Sequence, residues 1–329
     1  MKICIVYSHH KLGDLIWQLP YIKSISDHHK SKITLITRPT TQAKDILKEE
    51  KYIESFFYCH FRKSVWYFLE IFILYSFFRK NNFSHVYILD KISRPAIAAK
   101  LAGIKNIIGP GIKSQKNWLT CHRYLSAKDY IMLNYSEQSE MLLNLNGISS
   151  ENKIPKINIS LKSLENVKPL INFDKKKTVA FGVDSFELYK MWFEDQFAEL
   201  ANLLNDNGFA DQIFLIASKK NSSVTKKISF LSKRNIFYDC SELNLLEVIK
   251  VIKNSNFYVG NNSGPLNLAS ALGTKAFGLI ANDRVSELKN SNINPILPNN
   301  YKDEFFRDRK GMRRLNVQRV YNQIVSKLI

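Results

Sequence analysis

Cysteine is scarce and poorly placed for chemistry. Four residues, Cys4, Cys59, Cys121 and Cys240, are scattered over 329 positions. They form no Cys-x-x-Cys pair and no zinc-ligand spacing, so buried, reduced thiols are expected. Long apolar runs are missing as well. The most apolar stretch, SVWYFLEIFILYSFF at residues 64–78, is interrupted by Glu70 and falls short of the roughly 20 residues that span a bilayer. The opening MKICIVYSHH holds too short an apolar run for a signal-peptide core and is expected to form the first buried strand. After that strand the chain reads SHHKLGDLIWQLP, without the G-x-G-x-x-G turn of dehydrogenase-type dinucleotide binding. Acidic residues are few: 29 Asp and Glu face 48 Lys and Arg, a formal charge of +19. Divided at residue 160, both halves carry the excess, so a polyanionic partner is expected: nucleic acid, an acidic membrane surface or a phosphorylated glycolipid.

What is present is the composition of a folded chain, 45% hydrophobic and 23% charged, long enough for two domains with real cores. Apolar runs at residues 2–8, 32–37, 54–59 and 85–90 read as strands. Helical stretches at 14–25, 41–49, 64–80, 94–102 and 126–147 alternate with them, the pattern of a parallel sheet covered on both faces. A polar segment at 149–177, with Pro155, Pro169 and the triple Lys175, Lys176, Lys177, reads as a linker. The rhythm then restarts with strands at 178–183, 212–218, 235–240, 258–260 and 275–280, and helices at 193–208 and 244–255. The expected fold is α/β, two Rossmann-like domains facing a central cleft, divided as 1–160 and 161–329. The last helix could pack back on the first domain. No internal repeat and no low-complexity tract interrupts this plan.

Residues 64–78 are apolar nearly all round, which fits a buried helix. With Arg62, Lys63, Arg79 and Lys80 at their ends they also fit a helix lying at a membrane interface. The tandem pairs His9, His10 and His28, His29 point their neighbouring side chains apart and read as loop or surface residues rather than metal ligands. The basic stretch RDRKGMRRLNVQR at 307–319 has no DNA- or RNA-binding motif around it and reads as a solvated helix face.

The stretch YVGNNSGPLNLASALG, residues 258–273, puts a polar turn between an apolar strand and a small-residue helix with Pro265 in its first turn. This is either a well-capped βα unit or an anion site built from free helix N–H groups. Two α/β domains could serve a dehydrogenase, a periplasmic binding protein or a glycosyltransferase. The missing fingerprint argues against the first and the absence of an export signal against the second.

Four segments together resemble glycosyltransferase family 9, the lipopolysaccharide heptosyltransferases, which are two-domain GT-B enzymes. LGDLIWQLPYIKSI at 12–25 is similar to the family's Gly-Asp motif with its downstream proline, here Gly13, Asp14 and Pro20. HVYILDKISRPAIAAKLAGIKNIIG at 85–109 resembles its fourth strand and following helix. FGVDSFELYKMWFEDQFAEL at 181–200 resembles the first strand and turn of its donor domain, with Lys190 and Trp192 opening a helix. YVGNNSGPLNLASALGT resembles the signature V-G-x-D-[ST]-G-P-x-H-L-A-x-A-L-G, with Asn262 at its aspartate and Asn267 at its histidine.

The resemblance implies an inverting transferase that needs no metal and no cofactor, its donor being a nucleotide-sugar of which ADP-heptose is the family's. Asp14 would be the catalytic base, although the same residue could simply cap its helix. Lys190, Asn262, Ser263, Gly264, Pro265 and Asn267 would hold the donor, and His10, Lys11 and Gly13 would line the acceptor side. The sequence has no Asp-x-Asp pair for a cation, so the departing diphosphate would be met by Lys190 and the helix start. The acceptor would be a lipopolysaccharide core or similar anionic glycolipid. The protein would then be cytoplasmic, peripheral on the inner membrane, with no nucleic-acid partner. The alternatives are a non-catalytic relative that binds nucleotide or glycan, and a transferase with another donor.

Overall fold

The computed structural model describes residues 1–167, 173 and 176–329. Pro169 and Lys175, expected in the linker, lie outside the described residues. The chain divides into two compact units, Met1–Asn158 and Ile159–Ile329.

The first unit is built on five parallel strands, β1 (Ile3–Val6), β2 (Ile33–Thr37), β3 (Ile53–Tyr58), β4 (His85–Ile88) and β5 (Asn106–Ile108), in the order β3-β2-β1-β4-β5. β1 and β2 are buried throughout, which is why ICIV and ITLIT run apolar without alternation. In place of one helix at 14–25 there are two, Leu12–Ile16 and Leu19–His29. Pro20 sits in the first turn of the second, where its missing N–H leaves no bond unmade. β5 escaped the sequence pattern because three residues show no period.

The second unit holds six parallel strands, β6 (Thr178–Gly182), β7 (Gln212–Ile216), β8 (Phe237–Asp239), β9 (Phe257–Asn261), β10 (Ala276–Leu279) and β11 (Ile293–Ile296), in the order β11-β10-β9-β6-β7-β8. β11 was also unexpected, since its sequence INPI carries Pro295. An edge strand tolerates that residue. The helix Ser222–Ser232 was missed as well; its polar, serine-rich sequence hides a buried face of Thr225 and Ile228.

The sequence reading of 307–319 needs correction. Only Lys310–Arg313 and the start of Val317–Leu328 are helical. Arg309 donates to the carbonyls of Met191 and Trp192 at 3.1 and 3.2 Å, and Arg319 donates to the Leu297 carbonyl at 2.7 Å. These arginines tie down neighbouring loops. The final helix sends Val317, Val320 and Ile324 into the second unit's own core beside Trp192 and Phe197. The helix Trp66–Asn81 is likewise not the buried element one reading of its composition allows: Leu74 and Phe78 are buried, whereas Phe68 and Phe72 are 73% and 64% exposed.

In each sheet the strand order reverses beside the first strand of the unit, between β1 and β4 and between β6 and β9. Loops leaving the carboxyl ends of such strands form a crevice suited to ligands. At the second crossover Gly182 lies opposite Gly260, and the Tyr258 hydroxyl fills the space. A Cβ on Gly260 would meet the Gly182 carbonyl oxygen at 2.6 Å. Gly260→Ala is therefore expected to cost about 1–3 kcal/mol of stability, read from urea unfolding.

His29 offers a pH test of the first unit. Its ring centroid lies 4.7 Å from that of His85 and 4.9 Å from that of His28, and its Nε2 is 2.7 Å from the Tyr87 hydroxyl. Burial, then the charges of His85 and His28, lowers it to about 4. An unfolded chain binds that proton near pH ~6.5, so the stability contribution is complete above that value and declines as pH falls toward the folded value. His29→Gln is expected to reduce the drop in urea midpoint between about pH 7 and about pH 4.5.

Candidate functional site

At the carboxyl edge of the second sheet, the loop after β6 and the turn after β9 are joined by one amide. Asn261 is fully buried, and its Oδ1 accepts from the Trp192 backbone N–H at 2.9 Å. Asn282, following β10, donates to the Tyr189 carbonyl at 2.7 Å and to that of Asp308 at 2.6 Å. Lys190 is thus held between fixed neighbours. Its Nζ lies 3.2 Å from Asp283 Oδ1 and 3.9 Å from Glu187 Oε2. Asp283 is 5% exposed, and its other oxygen accepts from Asn262 Nδ2 at 2.9 Å. One buried carboxylate therefore organises both Lys190 and Asn262. Burial, then Asp283 and Glu187, pushes the Tyr189 phenol up to about 12.

The helix Gly264–Ala271 starts beside this group. Ser263 precedes it as N-cap residue but makes no side-chain cap bond. Pro265 has no N–H, and the Leu266 and Asn267 N–H groups donate to the Ser263 carbonyl at 3.1 and 3.3 Å, so the Gly264 N–H is the one this helix start can offer to a ligand. Asn261 Nδ2, Ser263 Oγ and Asn267 Oδ1 are buried without a hydrogen-bond partner among the described residues. The Ser263 and Tyr258 hydroxyls adjoin without bonding geometry. Native proteins rarely leave such atoms unpaired, and here three converge at one helix start. A Cβ on Gly264 would meet no protein atom within 4 Å, so the protein's own packing does not require glycine there.

The carboxyl edge of the first sheet carries a second group. Asp14 lies in the first turn of Leu12–Ile16, whose N-cap residue is Lys11. It is therefore inside the helix and not its cap. Asp14 Oδ2 is 3.6 Å from His9 Nδ1. The His9 ring stacks on Tyr7 at 4.9 Å and meets Tyr135 edge-on at 4.3 Å. Asp90, 3% exposed, accepts from the backbone N–H groups of Ser8 at 2.6 Å and Ile92 at 2.9 Å. The Tyr7 hydroxyl is buried with no hydrogen-bond partner among the described residues. Burial, followed by the carboxylates of Asp14 and Asp90, raises its pKa.

Among the acceptor-side residues, Gly13 is buried, Lys11 half-buried and His10 exposed. Of the donor-side residues, Lys190 ends the short 3-10 turn Leu188–Lys190 in the segment after β6, Asn262 and Ser263 form the turn after β9, and Gly264, Pro265 and Asn267 lie in the helix Gly264–Ala271. Sequence reasoning passed over Asp90 and Asp283, and took His9 for a loop or surface histidine without linking it to Asp14. All three follow the carboxyl ends of strands, a position that could have flagged them. Among the described residues no His, Cys, Asp and Glu group is arranged to hold a metal. A pocket of about 980 Å³ in the first unit is lined by Lys23, Lys51 and Lys156 against Asp27, Glu49 and Glu151. It holds none of these site residues, and its mixed charge selects no anion.

Two parallel-sheet α/β units of this kind define a class by fold, the GT-B type. The fold is similar to E. coli ADP-heptose lipopolysaccharide heptosyltransferase II (TM-score 0.75, 16% identity, 99% of this chain and 98% of that one). It is also similar to a family 9 glycosyl transferase from Veillonella parvula (0.77, 15%, 99% and 96%) and to E. coli heptosyltransferase WaaC with ADP (0.74, 16%, 99% and 99%). At such identities the likeness speaks for the fold. No curated protein matches the chain in sequence. The model of glycosyltransferase family 9 (heptosyltransferase) matches residues 74–304, and the chain belongs to that family of enzymes. The matched span includes Lys190, Asn262 and Asp283 and leaves out Asp14.

Because the buried Asp283 carboxylate pairs with two half-buried neighbours, Lys190 and Asn262, Asp283→Ala is expected to lower stability by about 1–3 kcal/mol. Adding Lys190→Met should give a loss smaller than the sum of the two single losses, since both act on one ion pair. Urea unfolding of the three variants checks this.

Proposed function

We propose that the protein is an inverting, metal-independent glycosyltransferase that moves a heptose or related sugar from a nucleotide diphosphate donor to a lipopolysaccharide core or similar anionic glycolipid. The observation that carries the donor half is Lys190, joined through Asp283 to Asn262, beside a turn and helix start at which Asn261 Nδ2, Ser263 Oγ and Asn267 Oδ1 are buried and unpaired among the described residues. A helix start of this kind favours anions through the Gly264 N–H and the helix dipole. The side chains of Asn261, Ser263 and Asn267 offer donors and acceptors to a ligand that reaches them.

In the reaction, an acceptor hydroxyl attacks the anomeric carbon and passes its proton to the Asp14 carboxylate. The bond from that carbon to the diphosphate oxygen breaks, and the electron pair leaves with the diphosphate. Lys190 and the helix start oppose the developing charge. His9, through its contact with Asp14, holds the carboxylate in place as a positioning residue. Asn262 stands where the family signature has aspartate. Asp283, bonded to Asn262, keeps a carboxylate at that point and aims Lys190. ADP-heptose is the donor to test first, and the charge of +19 suits an acceptor rich in phosphate or acidic sugar. With a lipid-borne acceptor, the enzyme would work at the cytoplasmic face of the inner membrane.

Thermal unfolding with ADP-, UDP-, GDP- and CMP-sugars tests the donor half. One nucleotide class should raise the melting temperature, and the rise should vanish in Lys190→Ala and shrink in Gly264→Ala, whose own melting should not fall. Asp14→Asn should keep that rise while slowing transfer to Kdo-lipid A by about 10²- to 10⁴-fold, measured as release of nucleoside diphosphate. Absence of any rise in folded protein would sink the donor assignment. Undiminished transfer by Asp14→Asn would remove Asp14 as the base.

A further inference from the structure

The helix Trp66–Asn81 shows a chemistry that the transfer reaction does not use. Its inner face, with Leu74 and Phe78, packs into the first unit's core. Its outer face carries Val65, Phe68 and Phe72 at 80%, 73% and 64% exposure, beside Trp66, Leu69 and Ile73 at 46%, 45% and 40%. These positions recur at helical spacing and form one continuous apolar strip, of a kind that soluble surfaces seldom leave uncovered. Arg62 and Lys63 stand exposed at one end, and Arg79 and Lys80 at the other. The Arg62 guanidinium lies 4.8 Å from the centre of the Trp66 ring.

The sole acidic residue between positions 62 and 80 is Glu70, and it is turned inward. Its carboxylate bonds the buried Arg94 and accepts from the Arg62 backbone N–H at 3.1 Å. The exposed strip is therefore apolar along its length, cationic at both ends and free of acidic side chains. No helix among the described residues is long and apolar enough to cross a membrane; at 16 residues this one has the form of an element lying in the interface.

We propose that this helix is the surface by which the protein docks on an anionic lipid bilayer. It would lie flat, with Trp66, Phe68, Leu69, Phe72 and Ile73 among the acyl chains and the basic ends against lipid phosphates. Charge complementarity selects this occupant over a second copy of the chain. Two such strips face to face would bring the basic ends of both helices together with no acid between them. The proposal deepens the reading of a lipid-borne acceptor, and rests on it for its purpose in the cell.

The test is sedimentation with vesicles of phosphatidylcholine alone and of phosphatidylcholine with phosphatidylglycerol, at low and high salt. The wild type, Phe68→Ser/Phe72→Ser and Arg79→Glu/Lys80→Glu are compared. Binding of the wild type to the anionic vesicles, cut about tenfold or more in each double variant with unchanged melting temperature, is the expected result. Failure of the wild type to bind anionic vesicles would overturn the proposal, as would variants that bind equally well. It would also fall if the wild type proved to be a dimer that Phe68→Ser/Phe72→Ser splits without affecting vesicle binding. A nucleotide-sugar titration of the same samples separates the two readings. Vesicle binding with no nucleotide-sugar response would leave the docking surface standing and overturn the donor assignment.

Discussion

Much of the second unit's edge depends on the hydrogen bond from the Trp192 N–H to Asn261 Oδ1, 2.9 Å long and fully buried. A backbone group buried in the core must find a partner, and this one finds it on the strand that leads into the Asn262–Ser263 turn. The bond ties the loop after β6 to the end of β9. Trp192, packed against Phe197 at 4.9 Å, and Arg309, which reaches the carbonyls on either side of the Met191–Trp192 peptide, hold the segment from below. Lys190 is consequently presented by a rigid loop. A cation held in advance can oppose charge on a leaving group without reorganising during the reaction.

The same edge explains how the chain accommodates asparagine where its family signature has aspartate. An amide keeps the hydrogen-bonding shape and gives up the charge. Here the amide donates to Asp283, which arrives from the loop after β10, and the carboxylate is restored one side chain away. The pairing with Lys190 keeps that charge tolerable in a buried place, because a buried carboxylate is acceptable when it is both bonded and opposed.

The two units put similar frameworks to different local uses. In the first, the segments after β1 and β4 bring two carboxylates, Asp14 and Asp90, the His9 ring and the buried Tyr7 hydroxyl to one edge. In the second, the segments after β6, β9 and β10 bring a lysine, asparagine amides and a helix start to the edge that holds the buried Asp283 carboxylate. The first unit also departs from economical packing at Trp66–Asn81, where aromatic side chains remain in water. The inward turn of Glu70 toward Arg94 leaves that face without a negative charge.

The two-unit α/β plan, most of the strands and the turn between β9 and the helix Gly264–Ala271 were legible in the amino-acid order. Parallel strands are buried on both faces and so read as apolar runs, while Gly and Pro mark turns by their backbone chemistry alone. Elements too short or too polar to show a period, β5, β11 and Ser222–Ser232, were not. Nor was the exposure of Trp66–Asn81, since an apolar sequence does not say which of its faces meets protein. Asp283 and His9 gain meaning only from what they touch, across 93 positions for Lys190 and five for Asp14. By itself the sequence determined which segments can be strands, turns and helix starts, because those preferences are local. Only the tertiary structure decided which carboxylate meets which cation, and which polar atoms stay unpaired, because those depend on distances that the folding of separate segments creates.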